Sequence, residues 1–206
     1  MACSASTNRL ISMISSFLGD LLTDTESIQY ALRKILADFF SDNVVYLELR
    51  VKPRQMRDLS AEEYMQIFLD TIKDFEIHFP AMHTQLVLCV NRNHSLAAAE
   101  AVVSLATRLR ADEGPGVVGI DFCGDPTVRI YGEFSMFTPA FEQAAENGLG
   151  ITVSFAETIA ADSRRELDTL LSWNPGRIWE DEEAKQEIIK RSLCVELCSS
   201  YVSEQE

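Results

Sequence analysis

The stretch ITVSFAE, Ile151 to Glu157, decides how the chain is read. Its first five residues alternate as a short strand does, and a carboxylate, Glu157, follows just past the end. The segment before it, MFTPAFEQAAEN, has helical spacing, and Gly148 stands in the position a helix C-terminus favours. A helix, a tight turn and a buried strand within so few residues are one βα repeat, and the same grammar recurs upstream.

Working outward, TDTESIQYALRKILADFF opens with a capping box from Thr23 to Glu26 and puts Ile28, Ala31, Leu32, Ile35, Leu36 and Phe39 on one helical face. The strand VVYLEL follows from Val44 to Leu49. SAEEYMQIFLDTIKDF begins with a second capping box, Ser60 to Glu63, and leads to the strand TQLVLCV, which ends at Val90. Ser95 caps an alanine-rich helix that stops before Gly114, Pro115 and Gly116, and VVGIDF is a strand from Val117 to Phe122. Beyond the opening stretch come a helix around Leu167 to Leu171, a short piece at Arg177 and Ile178, an acidic helix EDEEAKQEIIKR, and the strand LCVEL.

Continuous apolar strands separated by single amphipathic helices mean parallel strands covered on both faces. Two architectures satisfy this, a (β/α) barrel and an open doubly wound sheet. No G-x-G-x-x-G follows the first strand, which counts against a dinucleotide-binding sheet and favours the barrel. A closed eight-unit barrel takes about 250 residues, and this chain supplies roughly six units. The expectation is a single domain over residues 1–206, an incomplete (β/α)8 TIM-type barrel lacking its first and last strands.

Composition narrows the function. The 206 residues carry a formal net charge of -14, which repels nucleic acid and anionic membranes, and at 47% hydrophobic they can fill a core. The N-terminal MACSASTNRLISMISSFLGDLL has neither a basic start nor a continuous apolar run, so no signal peptide and no membrane span are expected there. The five cysteines form no C-x-x-C pair. Cys194 and Cys198, four apart on a strand, would stand roughly 13 Å from each other, too far for a disulfide. A reduced, cytoplasmic chain is the expectation.

In either architecture the chemistry gathers at the C-terminal ends of the strands. Past Leu49 comes RVKPRQM, with Arg50, Lys52, Pro53 and Arg54; past Val90 comes NRNH; past Phe122 comes CGDPTVR. The first is a basic loop in an acidic protein, able to fork onto a phosphate or carboxylate, or equally to sit in solvent among the glutamates. Gly124 lets the backbone approach a ligand closely, or makes an ordinary turn. No H-x-H or H-E-x-x-H occurs.

Taken in order, YLELRVKPR, GIDFCGDPTV, GLGITVSFAE, GRI and VELC resemble the adenosine deaminase family, and most closely its branch acting on AMP analogues such as N6-methyl-AMP. The likeness runs from about Ser16 to Cys198. It implies a (β/α)8 barrel with one zinc ion whose bound water attacks C6 of a purine nucleoside or nucleotide. In that scheme Glu157 matches the proton donor, and Gly124 the glycine whose backbone meets the purine. Lys52, Pro53 and Arg54 match the segment lining the nucleotide end of the pocket. Asn91 stands where the AMP-type branch tends to carry aspartate.

The same resemblance implies a loss. The family's zinc-binding histidine falls three residues before the glutamate, where this chain has Ser154, and a hydroxyl is a poor zinc ligand beside imidazole. The histidine pair belongs on a first strand this chain lacks. Trp179 follows Arg177 and Ile178 directly, where the family continues glycine-histidine, and the strands bearing the aspartate ligand would lie beyond Glu206. The expectation is a purine deaminase-like hydrolase, inactive as this chain and holding no zinc. The alternative is a family member that binds a purine nucleotide or a protein partner without chemistry. An open barrel also predicts self-association through its strand edges.

Overall fold

The computed structural model describes residues 22–124, 133–153, 163–179, 190 and 194–196. Its helices are α1 (Thr25–Ser41), α2 (Ala61–His78), α3 (Leu96–Arg108), α4 (Thr138–Glu146) and α5 (Ser163–Ser172). Its strands are β1 (Tyr46–Val51), β2 (His83–Asn91), β3 (Val117–Cys123), β4 (Gly150–Val153), β5 (Arg177–Trp179) and β6 (Cys194–Glu196). A 3-10 turn, Phe134–Phe137, precedes α4. Apart from Lys190, the acidic stretch expected as a helix after Trp179 lies outside the described residues, as does the proposed Cys198 strand position.

The six strands form one sheet in the order β1-β2-β3-β4-β5-β6, the order of the sequence. β1 pairs with β2, β4 with β5, and β5 with β6, all parallel. A doubly wound sheet reverses its strand order at a switch point. No reversal occurs here, so the arrangement is that of a barrel wall, and with six strands against eight it is an incomplete one. No helix among the described residues is long and apolar enough to cross a membrane.

Two compact units divide the chain. One comprises Cys3–Cys89 and Ser104–Gly119. Its core is built by Ile28, Leu32 and Leu36 of α1, Met65, Ile72 and Phe75 of α2, and Leu86 and Leu88 of β2. The buried stripe of α1 is narrower than its spacing suggests: Ile35 and Phe39 are exposed. Its cap is also shifted by one residue. Asp24, not Thr23, is the N-cap, taking the Ser27 N–H at 2.8 Å, because aspartate is the stronger capping acceptor. Gln85 closes the turn after α3 by donating to Gly114 O and accepting from Gly116 N.

The Ser60–Glu63 capping box of α2 is as the sequence indicates: Glu63 N–H donates to Ser60 Oγ at 3.2 Å and Ser60 N–H to Glu63 Oε2 at 2.8 Å. The Ser60 backbone and hydroxyl hydrogen bonds hold the Glu63 pKa below its ordinary 4.5. The folded state therefore prefers the ionised carboxylate. Its stabilising effect is complete above pH 4.5 and is lost as pH falls through the lowered value. Ser60→Ala is expected to cost about 1 kcal/mol at neutral pH and to flatten this acid-side loss, read from melting temperature against pH.

The other unit comprises Met1–Ala2, Val90–Val103 and Ile120–Glu206. Its centre is aromatic: the Phe122 ring meets Phe134, Phe137, Phe141 and Trp173 at centroid distances of 5.2–5.7 Å, and Phe141 stacks on Trp173 at 4.1 Å. Trp173 satisfies its indole N–H on Thr138 Oγ1 at 2.9 Å. Gly148, at φ +72°, ends α4 as expected and turns the chain into β4.

Candidate functional site

The C-terminal end of β2 is tied into a tight polar turn. Asn91 Oδ1 accepts the Asn93 N–H at 3.1 Å, the Asn91 N–H donates to His94 Nδ1 at 3.3 Å, and the His94 N–H returns to Asn91 O at 2.8 Å. This is the side-chain mimicry of a backbone turn that asparagine does well. The end of β3 comes against it: Arg92 N–H donates to Cys123 O at 2.9 Å.

Gly124 then leaves β3 at φ +109°. A Cβ at this position would lie 2.7 Å from Asn91 Oδ1 and 2.9 Å from Nδ2. Two of the residues singled out in the sequence, Asn91 and Gly124, thus form one cradle, a carboxamide packed against a bare backbone. Gly124→Ala is expected to cost about 1–3 kcal/mol from the positive φ together with the contact. Asn91→Ala in the same chain should relieve the contact and leave the backbone strain, so urea unfolding of the double variant should recover only part of the loss.

Beneath the cradle lies a residue pair to which sequence reading gave no role. Arg92 is 3% exposed and its guanidinium lies 4.8 Å from the Phe122 ring centroid and 4.6 Å from that of Phe134. It donates through Nη1 to Glu166 Oε1 at 2.5 Å. A cation lying beside two rings that touch each other, and fixed to a carboxylate, clamps the turn after β2 to the start of α5. The only sequence signal was an arginine directly after a strand of buried residues; its partner is 74 positions away.

The basic loop after β1 is partly engaged by its own chain. Arg54, half-buried, donates Nη2–H to Leu22 O at 2.6 Å and lies over the Tyr64 ring at 5.2 Å. Burial pushes the Tyr64 hydroxyl pKa up, and the Arg54 charge partly opposes this. Pro53 is half-buried and Lys52 is exposed. Arg54 is therefore a tether for the segment before α1 as well as a charge at a strand end. Glu157 and Ser154 lie outside the described residues, as do Asp125 and Pro126.

A parallel sheet whose strands follow the order of the sequence defines the (β/α)-barrel class. The model of the adenosine deaminase family matches residues 5–200, and the chain belongs to that family. It is 33% identical over 162 residues to an adenosine deaminase-like protein of Drosophila pseudoobscura pseudoobscura, covering 79% of this chain and 46% of that one. It is 30% identical over 181 residues to the N6-mAMP deaminase of Arabidopsis thaliana, covering 77% and 48%. The chain thus spans about half the length of the curated relatives it matches. Among solved structures, arabidopsis ADAL complexed with IMP superposes with a TM-score of 0.80 at 28% identity, over 93% of this chain and 57% of that one. A cog1816 amidohydrolase from Burkhoderia ambifaria with bound Zn shares the fold, at TM-score 0.68 and 17% identity.

The histidines present do not fit the imidazole-built zinc site that the resemblance implies. The chain has three histidines. His78 is the last residue of α2, its Nδ1 2.9 Å from Asp74 O, and His83 is the first residue of β2, 3.8 Å from Glu76 Oε2. Both belong to the N-terminal end of β2, which, at about 3.3 Å per residue, is roughly 26 Å from its other end. His94 alone stands at a strand's C-terminal end, and its Nδ1 already accepts the Asn91 N–H.

Proposed function

We propose that this chain holds a purine nucleotide at the C-terminal ends of its strands and does not by itself deaminate it. The observation that carries this reading is the close packing of Asn91 against Gly124, which holds the Asn91 carboxamide where the ends of β2 and β3 meet. The Asn91 Nδ2–H can donate to a purine ring nitrogen. The family resemblance assigns the purine contact to Gly124 and the proton donor to Glu157. Relatives named for N6-mAMP deaminase and a neighbour complexed with IMP support a nucleoside monophosphate as the ligand class. No hydrolytic step is assigned, because the histidines do not supply the metal's donor set.

The family resemblance, rather than any geometry between the two units, assigns phosphate recognition to the Lys52–Arg54 loop. Charged hydrogen bonds from it to a phosphate contribute about 1.5–3 kcal/mol, so AMP should bind better than adenosine by about one to two orders of magnitude. Absolute affinity should be low, near millimolar, a dissociation constant that requires only about -4 kcal/mol. Calorimetry or ligand-observed NMR on the 206-residue chain tests this. Lys52→Ala and Arg54→Ala should each narrow the AMP preference, Arg54→Ala also lowering the melting temperature because it frees the Leu22 tether. Equal binding of AMP and adenosine would leave the loop as a solvated turn, and no purine binding at all would remove the cradle from the site.

A further inference from the structure

Asn91 has one polar group that the turn after β2 does not use, and that group only donates. Its backbone N–H goes to His94 Nδ1, its carbonyl accepts the His94 N–H, and its Oδ1 accepts the Asn93 N–H at 3.1 Å. Nδ2 bonds to no described residue, and the side chain is only half-buried. The two ends of the carboxamide are told apart by chemistry. A half-turn of the amide would set Nδ2 against the Asn93 N–H, donor to donor. Gly124 backs the group on one side, Oδ1 lying 2.7 Å and Nδ2 2.9 Å from where a Cβ would stand.

A fixed donor of this kind does not treat all purines alike. A 6-oxopurine carries O6 and N7 as neighbouring acceptors on one edge, whereas a 6-aminopurine carries N7 beside its N6–H donors. The remaining adenine acceptors stand singly: N1 is also next to the amino group, and N3 lies on the far edge. Whichever of these edges adenine turns to Nδ2, it offers one acceptor, and beside N7 or N1 it adds a donor that opposes the amide. Only the 6-oxo edge presents two acceptors together.

We propose that Asn91 is the specificity-determining residue of the site and selects a 6-oxopurine monophosphate, of the inosine or guanosine type, over the 6-amino type. This rests on the nucleotide-binding reading above and adds the identity of the base to it. The class so favoured is the product of a deamination rather than its substrate, which suits a chain that binds without chemistry. One further net hydrogen bond corresponds to about three- to tenfold in affinity. Because the Asn93 N–H holds Oδ1, the selectivity belongs to the turn as well as to the side chain it orients.

Ligand-observed NMR on the 206-residue chain, titrated separately with IMP, GMP, AMP and 7-deaza-GMP, reads the ratios directly. IMP and GMP should bind about three- to tenfold more tightly than AMP, and 7-deaza-GMP, which keeps O6 and lacks N7, should fall to the level of AMP. Asn91→Asp keeps an acceptor for the Asn93 N–H and turns the free donor into a second carboxylate oxygen. The added charge repels every monophosphate, so the ratio is compared: AMP should then bind at least as tightly as IMP. Equal binding of IMP and AMP to the unaltered chain, full GMP-like binding of 7-deaza-GMP, or a ratio unmoved by Asn91→Asp would overturn the assignment to Asn91 and leave nucleotide binding standing. Binding of none of the four would overturn that reading, and this inference with it.

Discussion

Arg92→Ala should destabilise the chain by about 3–5 kcal/mol, the largest loss expected of any single substitution here. Removing the guanidinium leaves the Glu166 carboxylate, 9% exposed, without this cation, and opens a void beside the Phe122 and Phe134 rings. The cost comes from what is left behind more than from the attraction lost. Replacing both partners with apolar residues, Arg92→Met with Glu166→Leu, should therefore recover most of the stability, since a buried ion pair seldom outperforms packed hydrocarbon of similar volume. Urea unfolding of the three chains gives the comparison. If the single variant lost less than about 1 kcal/mol, or if the double variant were worse than either single one, the clamp between the β2 turn and α5 would be a surface contact in energetic terms.

How this pair escaped sequence reading shows where that reading stops. Strands such as TQLVLCV and VVGIDF are apolar on both faces, and helices such as SAEEYMQIFLDTIKDF announce themselves by a cap and a 3.6-residue stripe. Both signals are local, and the structure places these elements within three residues of expectation. The barrel order followed from a local absence, the missing glycine fingerprint. Gly124 was legible because a glycine after a buried strand has few uses. That Asn91 packs against it was not, because their contact depends on the β2–β3 register, which no single segment encodes. Arg54 was read as a free charge, and its bonds to Leu22 O and the Tyr64 ring depend on how α1 and α2 close around it. The Arg92–Glu166 pair needs the turn after β2 and the first turn of α5 in place together.

No measurable deamination of AMP, adenosine or N6-methyl-AMP is expected from the 206-residue chain, with or without added zinc, and Ser154→His should not change this. The chemistry of the family needs hydroxide near neutral pH, which metal-bound water provides, and a general acid then adds about 10²–10⁴-fold. On the function proposed above, Glu157 supplies the acid and the chain's histidines do not supply the metal-bound nucleophile. Of the three histidines, two belong to the N-terminal end of β2 and the third is held by the Asn91 N–H, so restoring one imidazole at position 154 leaves the set far short of the three or four ligands zinc takes. Glu157→Gln should accordingly have no effect on a rate that is already background. Amine release followed alongside metal analysis of dialysed protein tests the statement on two independent readouts. One tightly held equivalent of zinc would show that donors outside the histidines build the site, and turnover abolished by Glu157→Gln would show that the acid still has a nucleophile to assist.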